Sequence, residues 1–257
     1  MHMAIRTCCR ACDLAVRLLT MAFIAMVTTG SGAHAAVIID GTRVIYPGDR
    51  REVSVSLHNV GDLPALVEVW IDAGNDKSLP NDTSAPIVAT PPLFRMNPSQ
   101  GQTLRLIYTQ AALPADRESV FWLNVLDIPP REKPNPDAPN HLEMAFRHRL
   151  KIFYRPAGMK GDAATAAKAV VWTVTHGADG SALVARNPTP FFISLVSADV
   201  TAGAMQDHAH TDMLPPQSST RLALSRADFH GPATVKYSFI NDFGSVVNGS
   251  ANADAAP

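Results

Sequence analysis

The stretch Leu142-Glu143-Met144-Ala145-Phe146-Arg147-His148-Arg149-Leu150-Lys151-Ile152-Phe153-Tyr154-Arg155-Pro156 carries one apolar row and one basic row. Leu142, Met144, Phe146, Leu150 and Ile152 fall on one side of a period-two pattern, and Glu143, Arg147, Arg149 and Lys151 on the other. That is the alternation of a half-buried strand, and no helical period fits it. At about 3.4 Å per residue the strand would reach roughly 50 Å, more than one ladder of a compact domain uses. Its surplus apolar row calls for a partner, and an exposed strand can take one from another chain.

The remainder of the chain follows the same rhythm. Val53-Ser54-Val55-Ser56-Leu57 alternates cleanly, residues 66–71 and 104–108 are rich in strand formers, and residues 120–128 form a nearly continuous apolar run suited to a buried sandwich strand. Pro47-Gly48, Pro91-Pro92 and the proline-rich stretch 129–139 punctuate these segments, since proline cannot donate to a ladder. Residues 158–169, with two glycines and a run of alanines, break the rhythm and read as a linker. Strand patterns resume at 170–175, 182–187, 191–198, 221–224 and 234–240, and the Ala/Asp-rich residues after Asn248 read as a tail. No segment has a convincing amphipathic helix pattern. The pattern predicts an all-β chain of two immunoglobulin-like sandwiches, residues 36–157 and 170–257.

Residues 1–35 read as a cleavable signal peptide. Arg6, Arg10 and Arg17 precede an apolar run over 18–27, and Ala33-His34-Ala35 is an A-x-A cleavage signature that sets the cut after Ala35. The apolar run falls short of the 20 or so residues that span a bilayer, so no stable membrane insertion is expected. The only cysteines, Cys8, Cys9 and Cys12, leave with the leader, which excludes disulfides, thiol chemistry and cysteine-bound zinc from the exported chain. That chain carries a formal charge of about −3, which argues against bulk binding to nucleic acid. The basic row of the long strand therefore has a local use or none.

No G-x-S-x-G elbow, H-E-x-x-H helix, phosphate loop or dinucleotide fingerprint occurs, and the chain does not read as an enzyme or a cofactor binder. Asp207-His208-Ala209-His210-Thr211-Asp212 is the one metal-like cluster; a solvated loop is the simpler reading, so no metal is assigned. Phe191 and Phe192 read as core or strand-edge packing.

Six motifs taken in order carry a resemblance. They are Gly41-Thr42-Arg43-Val44-Ile45-Tyr46-Pro47-Gly48, Thr90-Pro91-Pro92-Leu93-Phe94, Arg117-Glu118-Ser119-Val120-Phe121-Trp122-Leu123-Asn124-Val125, Arg149-Leu150-Lys151-Ile152-Phe153-Tyr154-Arg155-Pro156, Asn187-Pro188-Thr189-Pro190-Phe191-Phe192 and Asn241-Asp242-Phe243-Gly244. Together they resemble the periplasmic pilus-assembly chaperones, along essentially the whole exported chain.

The resemblance implies two immunoglobulin-like domains set as an L around a cleft, and a chaperone that lends a strand to a pilus subunit lacking its own, then passes the subunit to an outer-membrane usher. By the same resemblance Leu142, Met144, Phe146 and His148 form the donor strand, and Arg43 and Lys151 anchor the subunit's terminal carboxylate. Glu118, Arg155 and Asp242 form a structural ion network between the domains. The short, cysteine-free connection after residue 128 implies the short-loop branch of the family, and the donor strand implies a capacity for self-association when free. The rival readings are a periplasmic metal-binding module, resting on His208 and His210, and a structural surface protein.

Overall fold

The computed structural model describes residues 36–81, 85–131, 143–177, 180–225, 229 and 232–255. The predicted leader, residues 1–35, and Leu142 lie outside the described residues. Two sheets face each other in the first sandwich. One has the order β1 (Val37–Ile39), β3 (Glu52–Asn59), β7 (Gly101–Tyr108), β5 (Ile87–Thr90). The other has the order β2 (Arg43–Pro47), β9 (Phe146–Arg155), β8 (Ser119–Ile128), β4 (Ala65–Asp72), β6 (Leu93–Met96).

Period-two burial drives this arrangement. Val55 and Leu57 of β3 turn inward while Glu52, Ser54 and His58 face out, and Leu104 and Leu106 do the same on β7. They meet Val67, Val69, Ile71, Leu123, Val125, Leu150 and Ile152 of the opposite sheet in one core. The first strand serves both sheets. Asp40, Gly41 and Thr42 break it, Gly41 taking a φ of 93° that side-chain-bearing residues resist, and the chain crosses from β1 beside β3 to β2 beside β9.

β9 begins at Phe146, shorter than the fifteen-residue reading. Its even-numbered side chains face the core of the first sandwich and its odd-numbered ones face away from it, as the alternation predicts, Phe153 being buried there against Phe192. β8 lies antiparallel to it, from Asp127 opposite Phe146 to Ser119 opposite Tyr154. β2 lies parallel to it, but only from Arg43 opposite Lys151 to Pro47 opposite Arg155.

The second sandwich comprises β10 (Val171–Gly177), β11 (Gly180–Asn187), β12 (Ile193–Ala202), β13 (Met205–His208), β14 (Met213–Leu214), β15 (Ser218–Ala223), β16 (Ala233–Ile240) and β17 (Val246–Ala255). Hydrogen bonding runs without a break in the order β13-β12-β16-β17-β10-β11-β15, with β14 at the edge of β12. The path wraps a core of Trp172, Val174, Leu183, Phe191, Val200, Phe229, Val235 and Phe239.

Two segments differ from the sequence reading. Within the stretch taken as a linker, Ala163–Lys168 forms a helix, α1, whose Ala163, Ala166 and Ala167 are buried, the last two within the second core. Asp162 caps it, accepting from the Thr165 N–H at 2.7 Å, and the Tyr237 hydroxyl donates to the Ala167 carbonyl at 3.1 Å. Alanines lack the bulk to advertise an apolar face, yet they let a short helix sit close to a sheet. The stretch read as a tail is most of β17, paired along its length with β16 and, at Trp172 to Val174, with β10. Gly249 suits it to this place, because a Cβ there would strike the Tyr237 ring.

A linker would tolerate a charge at Ala167; a core helix would not. Ala167→Asp is expected to cost about 3 kcal/mol or more of unfolding free energy in urea. A change within about 0.5 kcal/mol would return the segment to a linker role.

Candidate functional site

The parallel register of β2 and β9 sets Arg43 directly beside Lys151. Both are half-buried between the sandwiches. The Arg43 guanidinium donates to the Ile240 carbonyl at 3.1 Å, reaches the Ser194 hydroxyl at 3.5 Å and lies 5.7 Å from the centroid of the Phe153 ring. Its Nε is buried with no partner. Among the described residues the Lys151 ammonium makes no hydrogen bond or ion pair. Burial pulls both cations below their ordinary pKa; Arg43 lowers Lys151 further, against a weaker pull from Asp212, while Asp242 and Glu118 partly support Arg43. Two neighbouring positive groups with reduced hydration and spare donors form a place for an anion.

One step along, Arg155 joins three parts of the chain. Its Nε donates to Glu118 Oε1 at 2.7 Å, and its two terminal nitrogens donate to the Asp242 carboxylate at 2.9 Å each. Glu118 Oε2 accepts from the Phe192 N–H at 2.7 Å, and the Glu118 N–H donates to the Pro190 carbonyl at 2.9 Å. Burial pushes the Glu118 carboxyl up against the pull of Arg155. For Arg155, burial works downward but the hydrogen bonds it donates to Asp242 and Glu118, with their negative charge, outweigh it and hold the guanidinium charged. Glu118, Arg155 and Asp242, grouped by resemblance, are thus brought together across the two sandwiches. The turn carrying Asp242 is fixed by Asn241, whose Oδ1 accepts from the Phe243 and Ser245 N–H groups at 3.0 Å. Gly244 lies so close to Thr42 that a Cβ would fall 2.5 Å from its hydroxyl oxygen, which locks the turn beside the first residue of β2. Phe191 is buried under Arg155, 5.0 Å from its guanidinium, and Phe192 meets Phe153 at 6.0 Å, both as packing residues.

The candidate strand residues sit at the other end of β9. Met144 is 41% exposed, and Phe146 and His148 are partly exposed on the core-facing side. Among the described residues, β9 pairs over 146–150 with β8 alone; β2 takes the other edge from Lys151 onward. The free edge therefore runs into the Arg43–Lys151 pair.

The basic row of β9 has divided uses. Arg147 stacks 4.8 Å over Trp70 and Arg149 4.8 Å over Trp122, and both turn toward Asp72. Asp72 is 2% exposed and accepts from Arg149 at 2.7 Å, Asn124 at 2.8 Å, Ser78 at 3.1 Å and the Gly74 N–H at 2.7 Å. Sequence reasoning missed Asp72, Asn124 and Trp70 as a group; the signal was a polar residue, Asp72 on β4 and Asn124 on β8, set within a mainly apolar stretch of each strand. At the proposed metal-like loop, His208 Nδ1 meets Asp199 at 2.8 Å, and among the described residues no group of three or more His, Cys, Asp or Glu side chains is arranged to hold an ion.

Burial alone would push the Asp72 carboxyl up, but its hydrogen bonds from Arg149, Asn124, Gly74 and Ser78 outweigh that and hold it below the usual range. A depressed carboxyl stabilises the fold above its unfolded value, near pH 4, and the contribution disappears as pH falls through the folded value. Asp72→Asn is expected to lower stability at pH 7 by about 1–3 kcal/mol and to flatten the loss of stability between about pH 5 and pH 2. Parallel pH profiles in urea unfolding would show that Asp72 carries no such linkage.

Comparison with known proteins agrees with this architecture. Residues 36–160 match the pili and flagellar-assembly chaperone, PapD N-terminal domain, and residues 165–251 match the pili assembly chaperone PapD, C-terminal domain. The chain is 38% identical over 238 residues to the probable fimbrial chaperone YadV of Escherichia coli K12, covering 90% of this chain and 95% of that protein. It is 40% identical over 218 residues to the chaperone protein FimB/FhaD of Bordetella pertussis, covering 83% and 86%. The YadV crystal structure superposes with a TM-score of 0.70 at 38% identity over 84% of this chain and 99% of that one. The SafB chaperone of Salmonella enterica, solved in complex with the SafA pilin, superposes with a TM-score of 0.70 at 27% identity over 86% and 97%. With both domains matched in order along the chain, it belongs to the PapD family of pilus-assembly chaperones.

Proposed function

We propose that the chain works in the periplasm after loss of residues 1–35, binding newly exported pilus subunits by lending them β9 and delivering them to an outer-membrane usher. The observation that carries this reading is the half-open edge of β9. A subunit strand laid along residues 146–150 finds unpaired backbone groups there and completes its own sheet with them.

The direction of that strand follows from β2. A guest occupying the same edge upstream of Arg43, and running parallel to β9 as β2 does, brings its carboxyl terminus to Arg43 and Lys151. The terminal carboxylate supplies the anion that this pair lacks, and the spare donors become charge-assisted hydrogen bonds. The anchor sets the register; Leu142, Met144 and Phe146 then enter the subunit's groove. Full transfer of such a side chain contributes about 1.5–3 kcal/mol. Phe146 is already partly covered, so it gains less than Met144. His148, next along the row, is partly buried in the chaperone itself, with its Nε2 unpartnered among the described residues.

Glu118, Arg155 and Asp242 serve this site by holding the second sandwich against the first, which keeps Ile240 and Ser194 beside Arg43. The function needs no chemistry on the subunit, only binding and release, so the chain acts as a binding protein and not an enzyme. Without a subunit, the open edge of β9 can pair with a second copy.

The test is co-purification from periplasm with the pilin of the same assembly system. Arg43→Ala and Lys151→Ala are each expected to weaken the complex by about 10- to 100-fold while the chaperone stays folded. Undiminished recovery of pilin with both anchors removed would overturn the reading. Separately, Arg155→Ala strands the buried Glu118 and is expected to cost about 3–5 kcal/mol, with part of the loss recovered in the Arg155→Ala, Glu118→Gln double variant; calorimetric unfolding of the two proteins decides this.

A further inference from the structure

Asp127 occupies a position that the core pattern reserves for an apolar residue. On β8 it continues the inward row of Phe121, Leu123 and Val125, and it is 3% exposed. One carboxylate oxygen, Oδ2, accepts from the Ala36 nitrogen at 3.0 Å and from the Val37 nitrogen at 3.1 Å. Among the described residues no cation pairs with it. Two amide donors satisfy hydrogen bonding but leave a negative charge at the margin of an apolar core, and an unpaired buried charge is costly.

Ala36 is also clasped from its other side. Its carbonyl accepts from the Val60 N–H at 2.8 Å, and Gly61 approaches so closely that a Cβ there would lie 2.8 Å from the Ala36 Cβ. Val37 is wholly buried at the start of β1. Both neighbours thus hold the Ala36 nitrogen at the carboxylate. In the sequence this residue directly follows Ala33-His34-Ala35.

We infer that Asp127 is the receptor for the amino terminus created when the leader is removed, so that export processing completes a buried ion pair in the first sandwich. The inference rests on the reading of residues 1–35 as a cleaved leader. The step is hydrolysis of the Ala35–Ala36 amide by an export-associated peptidase. Water's hydroxyl goes to the Ala35 carbonyl carbon and the C–N bond breaks; the Ala36 nitrogen takes the water's remaining proton, and the proton shed by the new Ala35 carboxyl group makes it an ammonium. That ammonium forms 3.0 Å from Asp127 Oδ2, converting a neutral amide contact into a charge-assisted one. A start one residue earlier would carry the charge about 3.8 Å farther along the chain, away from the carboxylate. Processing therefore stabilises the fold as well as releasing it.

Amino-terminal sequencing of the exported protein comes first, because it separates the two ideas. A start at Ala36 upholds both; a start close to it but not at Ala36 overturns the ion pair alone, and a chain that keeps residues 1–35 overturns the leader reading and the pair with it. Urea unfolding is then measured on the chain starting at Ala36 and on one retaining Ala35, each with Asp127 or with Asp127→Asn. In the chain starting at Ala36 the substitution is expected to lower the folded-to-unfolded ratio at least about tenfold, and in the longer chain about twofold or less. Equal losses in the two backgrounds would overturn the ion pair while leaving the leader reading intact. An arm that needs no variant is acylation of the α-amine at pH 7, expected to be at least about tenfold slower in the native chain than in the same chain unfolded in urea; equal rates would also overturn the pair.

Discussion

β2 covers only half of one edge of β9, and the other features of the molecule are arranged around that fact. Had β2 begun five residues earlier in register, β9 would be a fully paired interior strand and Arg43 would lie far from Lys151. The break at Gly41 prevents this by spending the first part of the strand on the opposite sheet, as β1 beside β3. One bend in the chain thus creates the open edge, ends it, and sets a pair of cations at the point where it ends.

The outward row of β9 shows how residues of one type acquire different uses from their surroundings. Arg147 and Arg149 are flattened against Trp70 and Trp122 and share one buried carboxylate, Asp72, within the first sandwich. Arg155, at the far end, is neutralised across the boundary by Glu118 and Asp242. Lys151, between them, meets another cation instead. A strand with its basic residues tied down on either side of one unsatisfied lysine presents a single electrostatic demand rather than a diffuse positive surface. That is the condition under which a terminal carboxylate can define a register.

Much of this was legible in the residues. Alternation at 53–57 and along 142–156 gave the sandwich, because on a two-faced sheet the side-chain period and the burial period are the same. Arg43 and Lys151 stood out only through the motifs around them, since nothing in a lone arginine or lysine separates a half-buried cation from a solvated one. Burial was hardest to read where the side chains were small or polar. Ala166 and Ala167 resembled a linker, and Ala251 and Ala253 a tail, because alanine packs closely without the bulk that marks a core position. Asn124 and Asp127 were absorbed into an apolar run, although each terminates a hydrogen-bond network that the run alone could not have indicated.

The place of β17 has a consequence for the order in which the molecule is made. It is not an edge strand but lies between β16 and β10, contributing Ala253 to the core and joining what would otherwise be two separate ribbons. The first sandwich is complete once Arg155 is available, whereas the second remains an open sheet with an unfilled centre until residues 246–255 have arrived. In a chain synthesised from its amino end, the half bearing β9 can assemble while the half packed against it is still waiting for its keystone.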